Sequence, residues 1–472
     1  MRPLLRPLAV AALLAGLVGA GLPGASPASA AEPLTGPCIA GEPTSPTCSF
    51  EYGRVVFVAD GDTVDVQIDT SPLAEDVGVT ARVRLAGVQA MEMYTYSKDP
   101  ARRTGPCHGV AATASLERMT PIGSRVRLAA QQLDARSGER FRRSVATRAA
   151  DGSWQDVGSR QIARGHGLWL PNAQEYAWNR AYNLAAQQAA QSGLELWDRD
   201  ACGYGPNQGS TLQVYARWDA EGTDGVDLNG EYIRIRNRNK TTPVDLSGWF
   251  LRDSFLRPMT ATGEPTRNPG YTFPTGTVVQ PGQSITLHVG SGTDGGGTFY
   301  WRQTSQALDN ISVGPVWLGD GAYLFDPQGD LRYWSIWGCL TATSCADPLT
   351  GKVTIAHVQS DAPGEDATNP NGEYVDLAVP ATGTAVDLEG YQLVNFPYAY
   401  DFGPGSVLKP GERLRVHVGA GTSSRLTRYW GKASGIFNNG GETVALENFR
   451  GAALHCKAWG TATCATLSAF RL

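Results

Sequence analysis

Lysine is almost absent from this chain, which has it only at positions 98, 240, 352, 409, 432 and 457 of 472 residues. Arginine carries the positive charge, so an isolated arginine says little by itself. Charged residues reach only 18%, while 56 Gly and 29 Pro break the chain repeatedly. A long helical rod or coiled coil needs the reverse balance and is excluded. There is no C-x-x-C, no H-E-x-x-H and no Cys/His cluster at zinc spacing, which argues against a zinc site. There is no G-x-S-x-G either, and no Cys/His pairing that suggests nucleophilic catalysis. No long hydrophobic run follows residue 30, so no membrane span is expected. A β-rich, multi-domain protein survives these exclusions, with length setting a prior of roughly three domains.

The N-terminus reads as an export signal. Arg2 and Arg6 precede an apolar run from Leu8 to about Leu22, and Ala28-Ser29-Ala30 forms a small-residue exit. That order is a secretory signal peptide over 1–30. Cleavage removes two arginines and leaves 38 basic against 45 acidic residues, a net charge of −7. An acidic exported protein does not hold nucleic acid by bulk charge, so any such chemistry must be local.

All eight cysteines, 38, 48, 107, 202, 339, 345, 456 and 464, fall in the exported part and read as a disulfide framework. Residues 31–49 are Pro/Thr/Gly-rich and read as a tether. From 50 to 202, β-like alternation (54–58, 63–68, 80–85, 125–133) is interrupted by helical patterns at 109–119 and 173–192. That order suits a small barrel decorated with helices.

Beyond residue 203 the texture changes to short strands and recurrent turns, and an internal repeat appears. Asn229-Gly230-Glu231-Tyr232-Ile233 recurs as Asn371-Gly372-Glu373-Tyr374-Val375, and Val244-Asp245-Leu246-Ser247-Gly248-Trp249 as Val386-Asp387-Leu388-Glu389-Gly390-Tyr391, both offset by 142. The stretch Pro281–Gly290 matches Pro410–Gly419 at an offset of 129. The first copy therefore carries a loop about 13 residues longer, near 255–268. Each copy ends in a short cysteine-closed loop, which pairs Cys339 with Cys345 and Cys456 with Cys464. The other four cysteines allow three connectivities, of which Cys38–Cys48 with Cys107–Cys202 is the set favoured. Two β-sandwiches over 207–346 and 351–466 are expected, with Trp249 and Tyr391 filling their cores. On these motifs the repeat resembles lamin-tail domains, an immunoglobulin-like β-sandwich family.

A second set of residues carries chemistry. Asp60-Gly61-Asp62-Thr63 sits between two strands. Arg84-Leu85-Ala86-Gly87-Val88-Gln89-Ala90-Met91-Glu92 follows on the next strand and its exit. Arg140-Phe141-Arg142-Arg143 comes later, then Ala150-Asp151-Gly152, and Gly193–Trp197 closes the last helix. In this order the segment resembles the staphylococcal-nuclease-like (thermonuclease) family, which implies an OB-fold barrel and calcium-dependent phosphodiester hydrolysis. The resemblance implies one calcium ion held by Asp62, Gln89 and the Ala90 carbonyl. It makes Glu92 the group that positions or deprotonates water, and Arg84 and Arg143 the phosphate clamp. Hard oxygen ligands and guanidinium forks suit that task. Gln89 stands where the family usually has Asp, so weak calcium binding is expected.

The expectation is a mainly β, multi-domain protein, an OB-fold barrel with helices followed by two immunoglobulin-like sandwiches. Its expected function is that of a secreted, calcium-dependent nuclease acting on DNA or RNA, its two tails binding an unknown extracellular ligand. The competing expectation is a non-enzymatic extracellular binding protein with a degenerate nuclease fold, which Gln89 favours. The sequence leaves the oligomeric state open. Three lesser features read as structural: Arg234, Arg236 and Arg238 as a solvated strand edge, the 290–297 glycine loop as a hairpin, and His288 with His417 as equivalent strand residues.

Overall fold

The computed structural model describes residues 32–93, 107–221, 225–255, 270–309, 319–338 and 346–464, with the backbone of 312–313 and 316–317. The signal-like segment and the Cys339–Cys345 pairing lie outside the described residues. Residues 34–472 form one compact unit.

Five longer strands form the body of the N-terminal part: β1 (Thr47–Asp60), β2 (Thr63–Thr70), β3 (Thr80–Leu85), β4 (Arg125–Ala130) and β5 (Arg140–Arg148). β1 pairs with β2, β2 with β3, β3 in parallel with β5, β5 with β4, and β4 again with β1. The circuit of these five closes, so each is paired on both sides, while the short strands Thr35–Pro37, Arg136–Ser137 and Trp154–Asp156 add to it from outside. Alternation explains the inside of this barrel. Val64, Val66 and Ile68 on β2, and Ala81, Val83 and Leu85 on β3, are buried in one cluster with Val126, Leu128 and Val145. β4 ends earlier than its sequence pattern suggests, because the next amides, of Gln131 and Gln132, donate to the Glu175 carboxylate at 2.8 and 3.0 Å.

Among the described residues, three α-helices pack outside. α1 (Cys107–Met119) buries Ala112, Leu116 and Met119, one stripe at helical spacing. α2 (Val157–Ala163) has no clear signal in the sequence. It starts where the Asp156 side chain accepts the Ser159 amide at 2.6 Å, an N-cap. α3 (Asn179–Gln191) begins later than the pattern at 173–192 and buries Tyr182, Ala186 and Ala189.

The repeat produces two sandwiches with matching sheet order. In the first, Leu212–Arg217, Tyr232–Asn237, Ser284–His288 and Thr298–Tyr300 face Tyr271–Thr272, Phe250–Arg252, Gly321–Phe325 and Leu331–Ile336. The second repeats this with Thr354–Gln359, Tyr374–Ala378, Arg413–His417 and Thr427–Tyr429 against Tyr398–Asp401, Gln392–Asn395, Thr443–Glu447 and Ala453–Ala458. Trp249 and Tyr391 are both buried. Each follows a glycine at positive φ, Gly248 at 76° and Gly390 at 86°, where a side chain would strain the turn. His288 and His417 each bond a backbone carbonyl, of Asn229 at 2.7 Å and Asn371 at 2.8 Å, and stack on Tyr300 and Tyr429.

Disulfides join Cys38 to Cys48, Cys107 to Cys202 and Cys456 to Cys464. The arginines of Tyr232–Asn237 are not a solvated edge. Arg236 pairs with Asp387 and Glu389 of the second sandwich, both at 2.6 Å, because the two copies pack against each other along this face. The barrel meets the first sandwich through Trp197, whose ring lies 5.1 Å from Trp334 and 6.1 Å from Tyr323.

Candidate functional site

The turn between β1 and β2 presents Asp60 and Asp62. Glycine is needed between them: a Cβ on Gly61 would lie 2.5 Å from the Ala112 Cβ and 2.7 Å from that of Ala90. Gln161 of α2 fixes the turn from outside, its amide donating at 2.8 Å to both the Gly61 and Ala112 carbonyls. Asp60 accepts the Asp62 amide at 3.1 Å.

Arg84 is the centre of the arrangement. On β3 it lies opposite the inward-facing Val83 and Leu85, yet it is buried. One guanidinium nitrogen forms an ion pair with Asp62 Oδ1. The other donates to Gln89 Oε1 at 2.7 Å and to the Val88 carbonyl at 3.0 Å. The second Asp62 oxygen accepts the Ala90 amide at 2.7 Å, and the Gln89 amide nitrogen donates to the Ala90 carbonyl at 2.9 Å. Burial lowers the Arg84 guanidinium to about 10, against the opposing charge of Glu92. Burial likewise raises the carboxyls of Glu92 and Asp60, with Arg84 the main opposing charge on each. A desolvated acid beside arginines in a cleft marks a candidate site.

Arg84, Gln89 and Glu92 line a cavity of about 280 Å³ together with Arg140, Arg142, Asn172 and Gln174. Arg143, expected as half of the phosphate clamp, is not among its walls. It is fully buried, pairs with Glu51 at 2.6 Å and donates to the Leu133 carbonyl at 2.8 Å. The reason is parity. In the parallel β3–β5 ladder Arg142 stands beside Arg84 and Arg143 beside the inward-facing Leu85. Besides Arg84, the arginines that reach the cavity are therefore Arg140 and Arg142, neighbours of Arg143 that the expected clamp did not include. Arg140 makes long bonds, each of 3.3 Å, to Thr63 Oγ1 and to the carbonyl and Oγ of Ser137, and Arg142 donates to Gln174 Oε1 at 3.1 Å.

The expected calcium ligands come together, but around a different cation. Both Asp62 oxygens, the Gln89 oxygen and the Ala90 carbonyl each accept a bond from the protein, and the Arg84 guanidinium sits where Asp62 and Gln89 converge. With one carboxylate in the set and that carboxylate already neutralised, these residues do not fit a calcium ion. Among the described residues, the trio of ligating side chains close enough to share an ion is Cys107, His108 and Cys202, and its sulfurs are joined as a disulfide.

Phe255 and Asp309, from the first sandwich, complete the cavity wall. A family model for the Lamin Tail Domain matches residues 213–338 and again 347–460, just over half of the chain. The chain belongs to the lamin tail domain family. No curated protein matches it. Neither matched stretch includes the barrel, so the family fixes the two sandwiches and leaves the site to be read from its chemistry. The first lamin tail domain does more than follow the barrel in sequence, since Phe255 and Asp309 bring it to the site itself. Nothing in the residue pattern pointed to these two positions. Asp309 belongs to an acid-rich corner with Asp253 and Asp320, where burial and the neighbouring acids raise the Asp320 carboxyl well above its ordinary value. Among the described residues no helix is long and apolar enough to cross a membrane.

Proposed function

We propose that this chain is an exported nuclease whose barrel cleaves phosphodiester bonds and whose lamin tail domains brace and wall that site. One observation carries the reading. Two guanidinium groups, Arg140 and Arg142, line one cavity with the desolvated Glu92 carboxylate. Phosphoryl transfer asks for that combination: positive forks for the non-bridging oxygens and a carboxylate to take a proton from the nucleophile. The closed strand circuit β1-β2-β3-β5-β4 supports an OB-fold, a frame that often binds nucleic acid. Three disulfides and the signal-like N-terminus support export.

The test is cleavage of end-labelled single-stranded DNA and RNA by residues 31–472, beside an Arg140→Ala/Arg142→Ala variant. Cutting that the variant loses while keeping its unfolding temperature supports the reading. Absence of cutting on both substrates overturns it.

A second reading has an observation of its own. With Arg84 lodged between Asp62 and Gln89, the barrel suits a protein that holds a phosphate backbone without cleaving it. Retained binding of labelled strands without cleavage would favour that role, and would direct attention to what the lamin tail domains bind outside the cell.

A further inference from the structure

The convergence of Asp62 and Gln89 on Arg84 bears on the substrate, given the nuclease reading above. Hydrolysis of DNA needs an outside water made nucleophilic, which a bound metal ion does by accepting the oxygen lone pair and lowering the water's pKa. A guanidinium carries the charge but has no vacant orbital for that lone pair, and here its donors are already committed to Asp62, Gln89 and Val88. The nucleophile must then come from elsewhere. RNA brings its own, a 2′-hydroxyl tethered beside the phosphorus. Such an internal group reacts with an effective concentration of about 10⁵ M or more when well oriented. It asks for a base and for positive charge on the phosphoryl oxygens, and no more.

We propose that the barrel site cleaves RNA by internal transphosphorylation without a metal ion, with Glu92 as the base and Arg140 and Arg142 as the phosphate clamp. Glu92 takes the proton from the 2′-hydroxyl, and the 2′-oxygen forms its bond to phosphorus. The bond from phosphorus to the 5′-oxygen breaks, that oxygen takes a proton from solvent water, and Glu92 returns its proton to the hydroxide so formed. The products are a 2′,3′-cyclic phosphate and a 5′-hydroxyl end, with no change of oxidation state. Arg140 and Arg142 face the two oxygens on which charge accumulates. Arg84 acts as a positioning residue, holding the Asp62 turn and the Gln89 exit loop on either side of the cavity. DNA lacks the attacking group and is not cut by this route.

The experiment uses residues 31–472 with three oligonucleotides of one sequence: all-RNA, all-DNA, and RNA with a single 2′-deoxy residue. Each is incubated in millimolar EDTA and, separately, in millimolar calcium, with products read by mass spectrometry. The expected result is cleavage of RNA in EDTA to cyclic-phosphate ends, with the linkage after the deoxy residue spared and DNA intact. Glu92→Gln, purified in parallel, should lower the rate by about 10²- to 10⁴-fold. Cleavage of DNA and RNA alike, and only with calcium, overturns this proposal and leaves the nuclease reading standing. Cleavage of nothing overturns both. RNA cleavage that Glu92→Gln keeps in full overturns the assignment of the base. Should that variant fail to fold, the spared deoxy linkage decides the route with the unaltered protein.

Discussion

Arg143 and Glu51 form an ion pair at 2.6 Å in which both side chains are wholly shielded from water. Breaking a buried pair leaves the other charge desolvated, which costs about 3–5 kcal/mol. Arg143→Ala is therefore expected to lower the unfolding free energy by that amount in urea denaturation. Arg142→Ala, one residue away and facing the cavity, should change stability by no more than about 0.5 kcal/mol while weakening the binding of a labelled oligonucleotide. The opposite pattern, with Arg142 critical for stability and Arg143 for binding, would sink the assignment of faces.

Calcium gives a second test. The unaltered chain should show no rise in unfolding temperature on adding the ion at millimolar concentration. Gln89→Asp supplies a second carboxylate and gives the site a reason to exchange Arg84 for a metal. At ten times a millimolar dissociation constant, binding contributes about 1.4 kcal/mol of stability. A calcium-dependent shift confined to that variant is the expected outcome. A comparable shift in the unaltered protein would show that Arg84 yields its place readily.

The contact between the lamin tail domains hangs on Glu389. Its buried carboxylate accepts from Tyr215 Oη at 2.7 Å and Ser284 Oγ at 2.5 Å and pairs with Arg236 at 2.6 Å. Glu389→Ala strands these donors and should cost about 2–3 kcal/mol, below a fully buried pair because Arg236 keeps some exposure. Small-angle scattering is expected to show a larger radius of gyration as the second domain loosens. An unchanged radius together with unchanged stability would mean the apolar contacts suffice.

Protonation of His108 should make the protein acid-sensitive. Burial lowers this imidazole from 6.5 to about 4, Asp198 opposing only in part, and its Nε2 lies 3.4 Å from the Asp330 carboxylate. Between those values the unfolded chain binds a proton that the folded chain does not, so stability falls as pH drops from about 6.5 toward 4. The contribution is on the order of 3 kcal/mol. Because Asp330 is itself raised by burial and works the other way, the quantity to measure is the difference in slope from His108→Gln. Parallel curves for the two proteins would refute this role.

Much of the architecture could be read from the chain. The lamin tail repeat is legible because each copy spends the same residues on the same turns, and Gly248 and Gly390 adopt the positive φ expected before an aromatic core residue. The described disulfides follow the favoured pairing. Hairpin chemistry places Asp60 and Asp62 together, since a two-residue connection leaves the chain no other course.

Faces and neighbours were decided by the tertiary structure. A run such as Arg140-Phe141-Arg142-Arg143 has no apolar alternation to fix its parity, so only pairing with β3 turns Arg142 to the cavity and Arg143 to Glu51. The charge on Arg236 reads as surface until a second domain covers it. Phe255 and Asp309 stand 58 and 112 residues beyond Trp197, the last residue of the barrel's own motifs, and only packing of the first lamin tail domain brings them to the site. Local sequence determines turns, repeats and pairing partners because those interactions act over a few residues. Which side chain meets which across a cavity depends on strand register and domain docking, and these are settled by burial summed over the whole molecule.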